Sequence, residues 1–458
     1  MAKAKTVWTC AECGYQAPKW SGRCSGCGEW NTMEEGLKES AAASPGSASR
    51  AAASPLRLDE PVQIGDVDHI PEQRIRVNIS ELDRVLGGGF VPGGVVLLGG
   101  DPGIGKSTLS LQVAGIFASR ELKVLYVSGE ESLGQLKMRA QRLGIDAKKV
   151  WVFLETSLER VEQTIKTKKP DIMIIDSIQT LATDRLTSSP GSVAQLREVT
   201  SALTQIAKGS DIPTVLIGHV TKDGAIAGPK VLEHMVDTVL YLEGDERYDH
   251  RILRSVKNRF GATNEVGVFH MTSSGLDEVE NPSALFLAER TANTAGTAIF
   301  PSMEGSRPIL VEVQALVSKA NFGTPQRNAN GVDSRRLSML LAVLEKRLGN
   351  VMGMNDVFVN LVGGLKIRDP AADLAIIAAV ASSSRDDAII DGTVLVGEVG
   401  LTGEVRSVAR IEQRLQEAAA LGFTSAVIPA GNIKNDRSYK ELKVHGVKSV
   451  RETFQHIF

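Results

Sequence analysis

The sequence predicts an α/β protein built on a mainly parallel sheet, with a small cysteine-bearing module before it and an α+β unit after it. Three observations carry this expectation. Short apolar runs alternate with helical patterns from about residue 95 to 220, a glycine-rich loop joins the first run to the first helix, and all the cysteines crowd into the N-terminus. Apolar strands separated by helices indicate βαβ units around a parallel sheet. At 458 residues the chain has room for two or three folded units. Its formal charge of −2 supplies no global field toward nucleic acid or an anionic membrane, so any such affinity rests on local patches. Apolar runs such as Leu374–Ala381 are far too short to span a bilayer, and Met1–Lys5 has no signal-like apolar region behind it. The expectation is a cytoplasmic protein with no membrane partner.

Cys10-Ala11-Glu12-Cys13 and Cys24-Ser25-Gly26-Cys27 form two C-x-x-C knuckles, with glycines where the chain must turn to aim two sulfurs at one ion. Four thiolates at this spacing suit tetrahedral Zn²⁺ in a closed, structural site. A segment this small cannot bury a sufficient core, so metal binding would provide most of its folding free energy. Lys3, Lys5, Lys19 and Arg23 outnumber the acids around it. Trp8, Tyr15, Trp20 and Trp30 are interleaved, at least two of them expected in the miniature core and the rest suited to nucleic acid or protein. The module is placed at residues 1–33. Residues 34–60, rich in Ala, Ser and Pro, have little to bury and read as a flexible linker.

The second unit, residues 61–280, opens with Ile79–Gly89, a short helix ended by glycine. The apolar run Val95-Val96-Leu97-Leu98 follows, and then Gly100-Asp101-Pro102-Gly103-Ile104-Gly105-Lys106-Ser107-Thr108. This is the G-x-x-x-x-G-K-[ST] pattern between a strand and a helix. Its backbone N–H groups and the positive end of the helix form an anion cradle. Lys106 would reach the β/γ-phosphates of ATP and the Ser107 hydroxyl would hold Mg²⁺. Strands are predicted at 123–128, 150–154, 171–177 and 213–220, with helices at 133–143, 158–168 and 192–207. Ligands in such sheets bind at the carboxyl ends of the strands. Asp176 ends one strand and is the natural second partner for Mg²⁺. Glu130 and Glu131 follow another, so that one of them can orient the attacking water while the other serves as a helix-start carboxylate. His219 is open to two readings, a γ-phosphate sensor or a structural histidine.

The order phosphate loop, strand-end Glu, Ile-Ile-Asp-Ser and polar strand end resembles the RecA-like recombinases and ring helicases. Together with the four cysteines and Lys257-Asn258-Arg259-Phe260-Gly261, it resembles the RadA (Sms) family of bacterial DNA-repair ATPases over essentially the whole chain. The resemblance implies that Glu130 is the catalytic glutamate and that Lys257 and Arg259 couple ATP to DNA. Physically, these two cations fit the γ-phosphate of a neighbouring subunit, a DNA backbone, or simply a solvated basic strand. The family further implies a DNA-dependent ATPase and branch-migration helicase that forms a homo-oligomeric ring, a hexamer. It would translocate on single-stranded and branched DNA and work with a RecA-type recombinase. The alternative is an ATP-regulated loader or switch for a recombinase, without motor activity.

Residues 281–458 have a different style, with strands at 310–317 and 356–361, helices at 335–347 and 371–381, and a helix then strand at 411–429. They resemble the proteolytic domain of Lon proteases. Aligned on Asp369-Pro370-Ala371-Ala372, the nucleophile position holds Ala371 and the lysine position holds Glu412. Neither supports a Ser/Lys dyad, so a non-proteolytic scaffold is expected. Arg335, Arg336, Lys346, Arg347, Lys366, Arg368, Arg406, Arg410 and Arg414 are candidates for a basic surface on it.

Overall fold

The structure, a computed structural model, describes residues 5–13, 15–17, 19–38, 63, 73–146, 150–219, 229–244, 249–263, 265–320, 324–364, 366–433, 439 and 441–458. Most of the expected linker, residues 39–60, lies outside them. The described chain divides into two compact units at 278/279.

At the N-terminus, Lys5–Cys10 pairs antiparallel with Gln16–Ala17 on one side and Met33–Lys38 on the other. The third strand carries the module past residue 33, into the stretch that composition assigns to the linker, because Met33 lies across from Cys10 and is buried with it and Cys24. The aromatics depart from expectation. Only Trp8 packs against this tiny core, while Tyr15, Trp20 and Trp30 are exposed, the guanidinium of Arg23 lying over the Trp30 ring.

The nucleotide core is a nine-stranded sheet. In spatial order its strands are Gly275–Glu278, Val266–Thr272, His250–Asn258, Thr238–Glu243, Val95–Gly100, Thr214–Ile217, Ile172–Asp176, Val124–Ser128 and Val150–Leu154. From Thr238–Glu243 to Val150–Leu154 all neighbours are parallel, and the first three strands extend the sheet antiparallel. Side chains of a strand alternate between faces, and the central strand shows it. Val96 and Leu98 enter one core with helices Ser80–Leu86, Lys106–Ser119 and Leu133–Arg142, whereas Val95 and Leu97 enter the other with Leu158–Lys168 and Val193–Ser210. Both faces are therefore dry, which is why these strands read as unbroken apolar runs. Helix starts are set by serine caps at Ser132, Ser157 and Ser192, each accepting a backbone N–H three residues on.

The second unit is a mixed seven-stranded sheet. Long strands Thr297–Glu304 and Arg307–Lys319 form a hairpin at its centre, and the helix Asp373–Arg385 covers it, buried from Asp373 through Ser382. Its many alanines let helix and sheet approach closely. Among the described residues no helix is long and apolar enough to cross a membrane.

Candidate nucleotide site

The phosphate loop leaves its strand at Gly100 and enters its helix at Lys106. Gly100 has φ +147° and a Cβ there would lie 2.4 Å from the Leu242 carbonyl oxygen, so only glycine fits. At Gly105 the missing side chain is replaced by Met271, whose Cε would sit 2.7 Å from a Cβ. The antiparallel strand that carries Met271 has no counterpart in the sequence reading, yet it supports the base of the loop. Lys106 is only 4% exposed, and its ammonium donates to the carbonyl oxygens of Gly100 (2.8 Å) and Asp101 (2.9 Å). Burial lowers its pKa, while the charges of Asp176, Asp101 and Glu130 oppose that shift. The first N–H groups of the helix Lys106–Ser119 have no intrahelical partner, so Ser107 and Thr108 stand at the positive end of the dipole.

The carboxyl ends of the neighbouring strands bring the acids to the same end of the sheet. Asp176 is 4% exposed and lies across from Ile217, itself across from Leu98. Its Oδ2 accepts a 2.6 Å hydrogen bond from the fully buried Tyr126 hydroxyl. Burial, and then Asp176, push the Tyr126 pKa well up, so the phenol stays a donor. The sequence reading passed over Tyr126, which looks like any strand aromatic until the register sets it beside Asp176.

The two candidate glutamates part company here. Glu131 pairs with Arg139 at 2.7 Å, and its N–H donates to Ser128 Oγ. Glu130 Oε1 accepts from Ser177 Oγ at 2.6 Å and lies 3.4 Å from His219 Nε2. That imidazole nitrogen makes no hydrogen bond. The site thus gathers Lys106, Ser107, Asp176, Glu130 and His219, a set able to bind phosphates and a hard cation and to orient a water. Residue types and strand-end positions fit Mg²⁺, for Ser107 and Asp176 are both oxygen donors.

Lys257 and Arg259 are not brought to this site. Asn258 lies across from Thr238, and Thr238 from Val96, four residue steps below Gly100, or roughly 13 Å at about 3.3 Å per residue. Lys257 Nζ donates to the carbonyls of Glu233 (2.7 Å) and Val236 (2.8 Å). Burial, and then Arg259, lower its pKa. Arg259, half exposed, and Lys208 share the buried Asp237, at 3.2 and 3.4 Å. Both cations of the motif therefore face away from the phosphate loop of their own chain.

The four cysteine sulfurs lie within 4.8 Å of one another, with Cys10–Cys27 at 3.7 Å and Cys13–Cys24 at 3.4 Å. A tetrahedron with Zn–S bonds of about 2.3 Å needs edges of about 3.8 Å, so the set fits Zn²⁺. Burial acts to raise the Cys24 thiol, but the N–H groups of Cys27 and Gly26, with the thiols of Cys13 and Cys10, bring it down to about 6.

In the second unit, Ala371 is buried in a 3₁₀ turn whose cap, Asp369, accepts the Ala371 N–H at 3.0 Å. The buried cation beside this turn is Arg414, which donates to Asp369 and to the Pro301 carbonyl. Glu412, chosen by alignment, is not that residue. The buried stripe of its helix is Ile411, Arg414, Leu415 and Ala418, and Glu412 lies off it. Three of the proposed surface cations are engaged with acids. Arg336 is bound to buried Asp373, Arg406 to Glu404 and Arg414 to Asp369.

Comparison with known proteins agrees with three parts. Residues 8–35 match the family described as rubredoxin metal binding domain, residues 60–225 that described as AAA domain, and residues 323–432 that described as subunit ChlI of Mg-chelatase. DNA repair protein RadA of Bacillus subtilis (strain 168) is 50% identical over 458 residues, with 99% of each chain covered. DNA repair protein RadA of Chlamydia pneumoniae is 49% identical over 455 residues, again with 99% of each covered. Among solved structures, the KaiC-like protein PH0186 from Pyrococcus horikoshii OT3 is 23% identical, covers 46% of this chain and 100% of that one, and has a TM-score of 0.39.

Proposed function

The chain belongs to the RadA family of DNA repair proteins, with a RecA-like ATPase core, a four-cysteine zinc ribbon and a ChlI/Lon-like C-terminal unit, and from that premise we propose that it is a DNA-dependent ATPase and branch-migration helicase of recombinational repair. It assembles as a cytoplasmic hexameric ring, translocates on single-stranded DNA and processes branched intermediates made by a RecA-type recombinase. Hydrolysis proceeds by attack of water on the γ-phosphate. Lys106 stabilises the charge that develops on the phosphates, Glu130 orients the water, and His219 reads the γ-phosphate through Nε2, which makes no hydrogen bond. Ser107 and Asp176 hold Mg²⁺, which when bound neutralises phosphate charge. The observation that carries the reading is the split of functional residues between the two ends of one sheet. Lys106, Asp176 and Glu130 gather at the carboxyl end, whereas Lys257 and Arg259 lie at the other, so these cations act on a neighbouring copy's nucleotide or on DNA and not on their own. The first of these two roles needs an assembly.

The test is steady-state ATP hydrolysis with and without single-stranded DNA, alongside unwinding of a forked duplex, for the native chain, Lys106→Ala and Lys257→Ala. DNA-stimulated hydrolysis, ATP-dependent unwinding, loss of both by at least about 100-fold in Lys106→Ala, and Lys257→Ala that binds ATP without unwinding are expected. If ATP binding alters DNA affinity while the native protein never separates strands, the loader or switch is the correct account.

A further inference from the structure

Deepening that reading, and resting on Glu130 as the water-orienting carboxylate, we propose that Ser177 is a positioning residue for ATP hydrolysis. Its hydroxyl fixes one oxygen of Glu130 so that the other is presented to the water. The Glu130 side chain is 44% exposed, and a carboxylate on so long a stem otherwise spreads over several rotamers. Ser177 is fully buried, and its Oγ donates to Glu130 Oε1 at 2.6 Å, a charge-assisted bond of the strong kind. His219 Nε2 approaches the same oxygen at 3.4 Å, so neither contact uses Oε2.

The backbone around the pair is built to keep it. The Gly129 N–H donates to the Asp176 carbonyl at 2.9 Å, tying together the turns that follow two adjacent strands. A Cβ on Gly129 would lie 2.0 Å from Thr180 Oγ1, and that hydroxyl in turn donates to the Ser177 carbonyl at 2.8 Å. The Glu130 turn is thus pressed directly on the Ser177 turn. Glu131 is held apart by Arg139 and Ser128, so it does not compete for the serine. Only Glu130 is anchored toward the strand that bears Asp176.

The experiment measures kcat and KM for ATP, with the dissociation constant of a fluorescent ADP analogue, on the full chain as native protein, Ser177→Ala, Glu130→Gln and the double variant. Expected for Ser177→Ala is a kcat reduced about tenfold with nucleotide affinity within about twofold, and no further loss when it is added to Glu130→Gln. A native kcat in Ser177→Ala while Glu130→Gln is inactive overturns the positioning role and leaves Glu130 standing. Losses that multiply in the double variant also overturn it, because Ser177 then acts through something else. A native kcat in Glu130→Gln overturns the reading of Glu130 itself. Should Ser177→Ala lose nucleotide binding, Ser177→Cys keeps the volume with a weaker donor. A reduced kcat with native affinity in that variant supports the proposal, and a native kcat overturns it.

Discussion

At the phosphate loop, polar side chains rest on exchangeable partners, whereas around Ala371 they are locked to one another. Lys106 leans on two carbonyls of its own loop, and Glu130 is nearly half exposed. Arg414, 3% exposed, is consumed by Asp369, the Pro301 carbonyl and the face of Phe300. Both places have the residue types of an active site. The difference teaches that chemistry requires charged groups whose partners a ligand can replace, while a scaffold uses the same charges to close itself.

The contrast can be broken from either side. The largest effect is expected from Arg414→Ala, which strands the part-buried Asp369 and the buried Pro301 carbonyl and should lower the stability of the second unit by about 2–4 kcal/mol. Urea denaturation followed by far-ultraviolet circular dichroism reads this, since all four tryptophans lie in the first unit, and ATP binding there should persist. A loss below about 1 kcal/mol would mean that the ion pair is not the lock described. Tyr126→Phe should have a middling effect, since it removes the donor that holds Asp176 Oδ2 and nothing else. Hydrolysis should fall about three- to tenfold, with a higher Mg²⁺ requirement and a thermal midpoint lowered by a few degrees. An unchanged Mg²⁺ titration would show that Asp176 is held without the phenol. The smallest effect is expected from Ala371→Ser, which restores a hydroxyl but no base. Arg414 stays protonated at any working pH, so casein should remain intact over hours; its cleavage would place the second unit among active sites.

Much of this was legible in the linear chain because it depends on local spacing. The loop Gly100–Thr108, the knuckles Cys10–Cys13 and Cys24–Cys27, and Asp176 at its strand end each lie within a few residues of what defines them. Harder to read were the partners. Tyr126 and Asp176 are fifty residues apart and meet only through strand pairing. Met271 lies on the strand Val266–Thr272, and only strand pairing brings it beside the phosphate loop. Arg414 reads in the chain as one more surface cation, and only the fold puts it on the buried face of its helix.

What the sequence by itself determined, then, was the type of chemistry: a phosphate cradle, a thiolate site for a metal ion, and a C-terminal unit without a nucleophile at Ala371. Glycine and cysteine at fixed spacing constrain the backbone over so short a distance that no other context is needed. Only the tertiary structure decided between Glu130 and Glu131 as the residue facing Ser177 and His219, and put Lys257 and Arg259 at the far end of the sheet from Lys106. Those outcomes follow from strand order and register, and pairing between residues distant in the chain is set by the burial of both sheet faces at once.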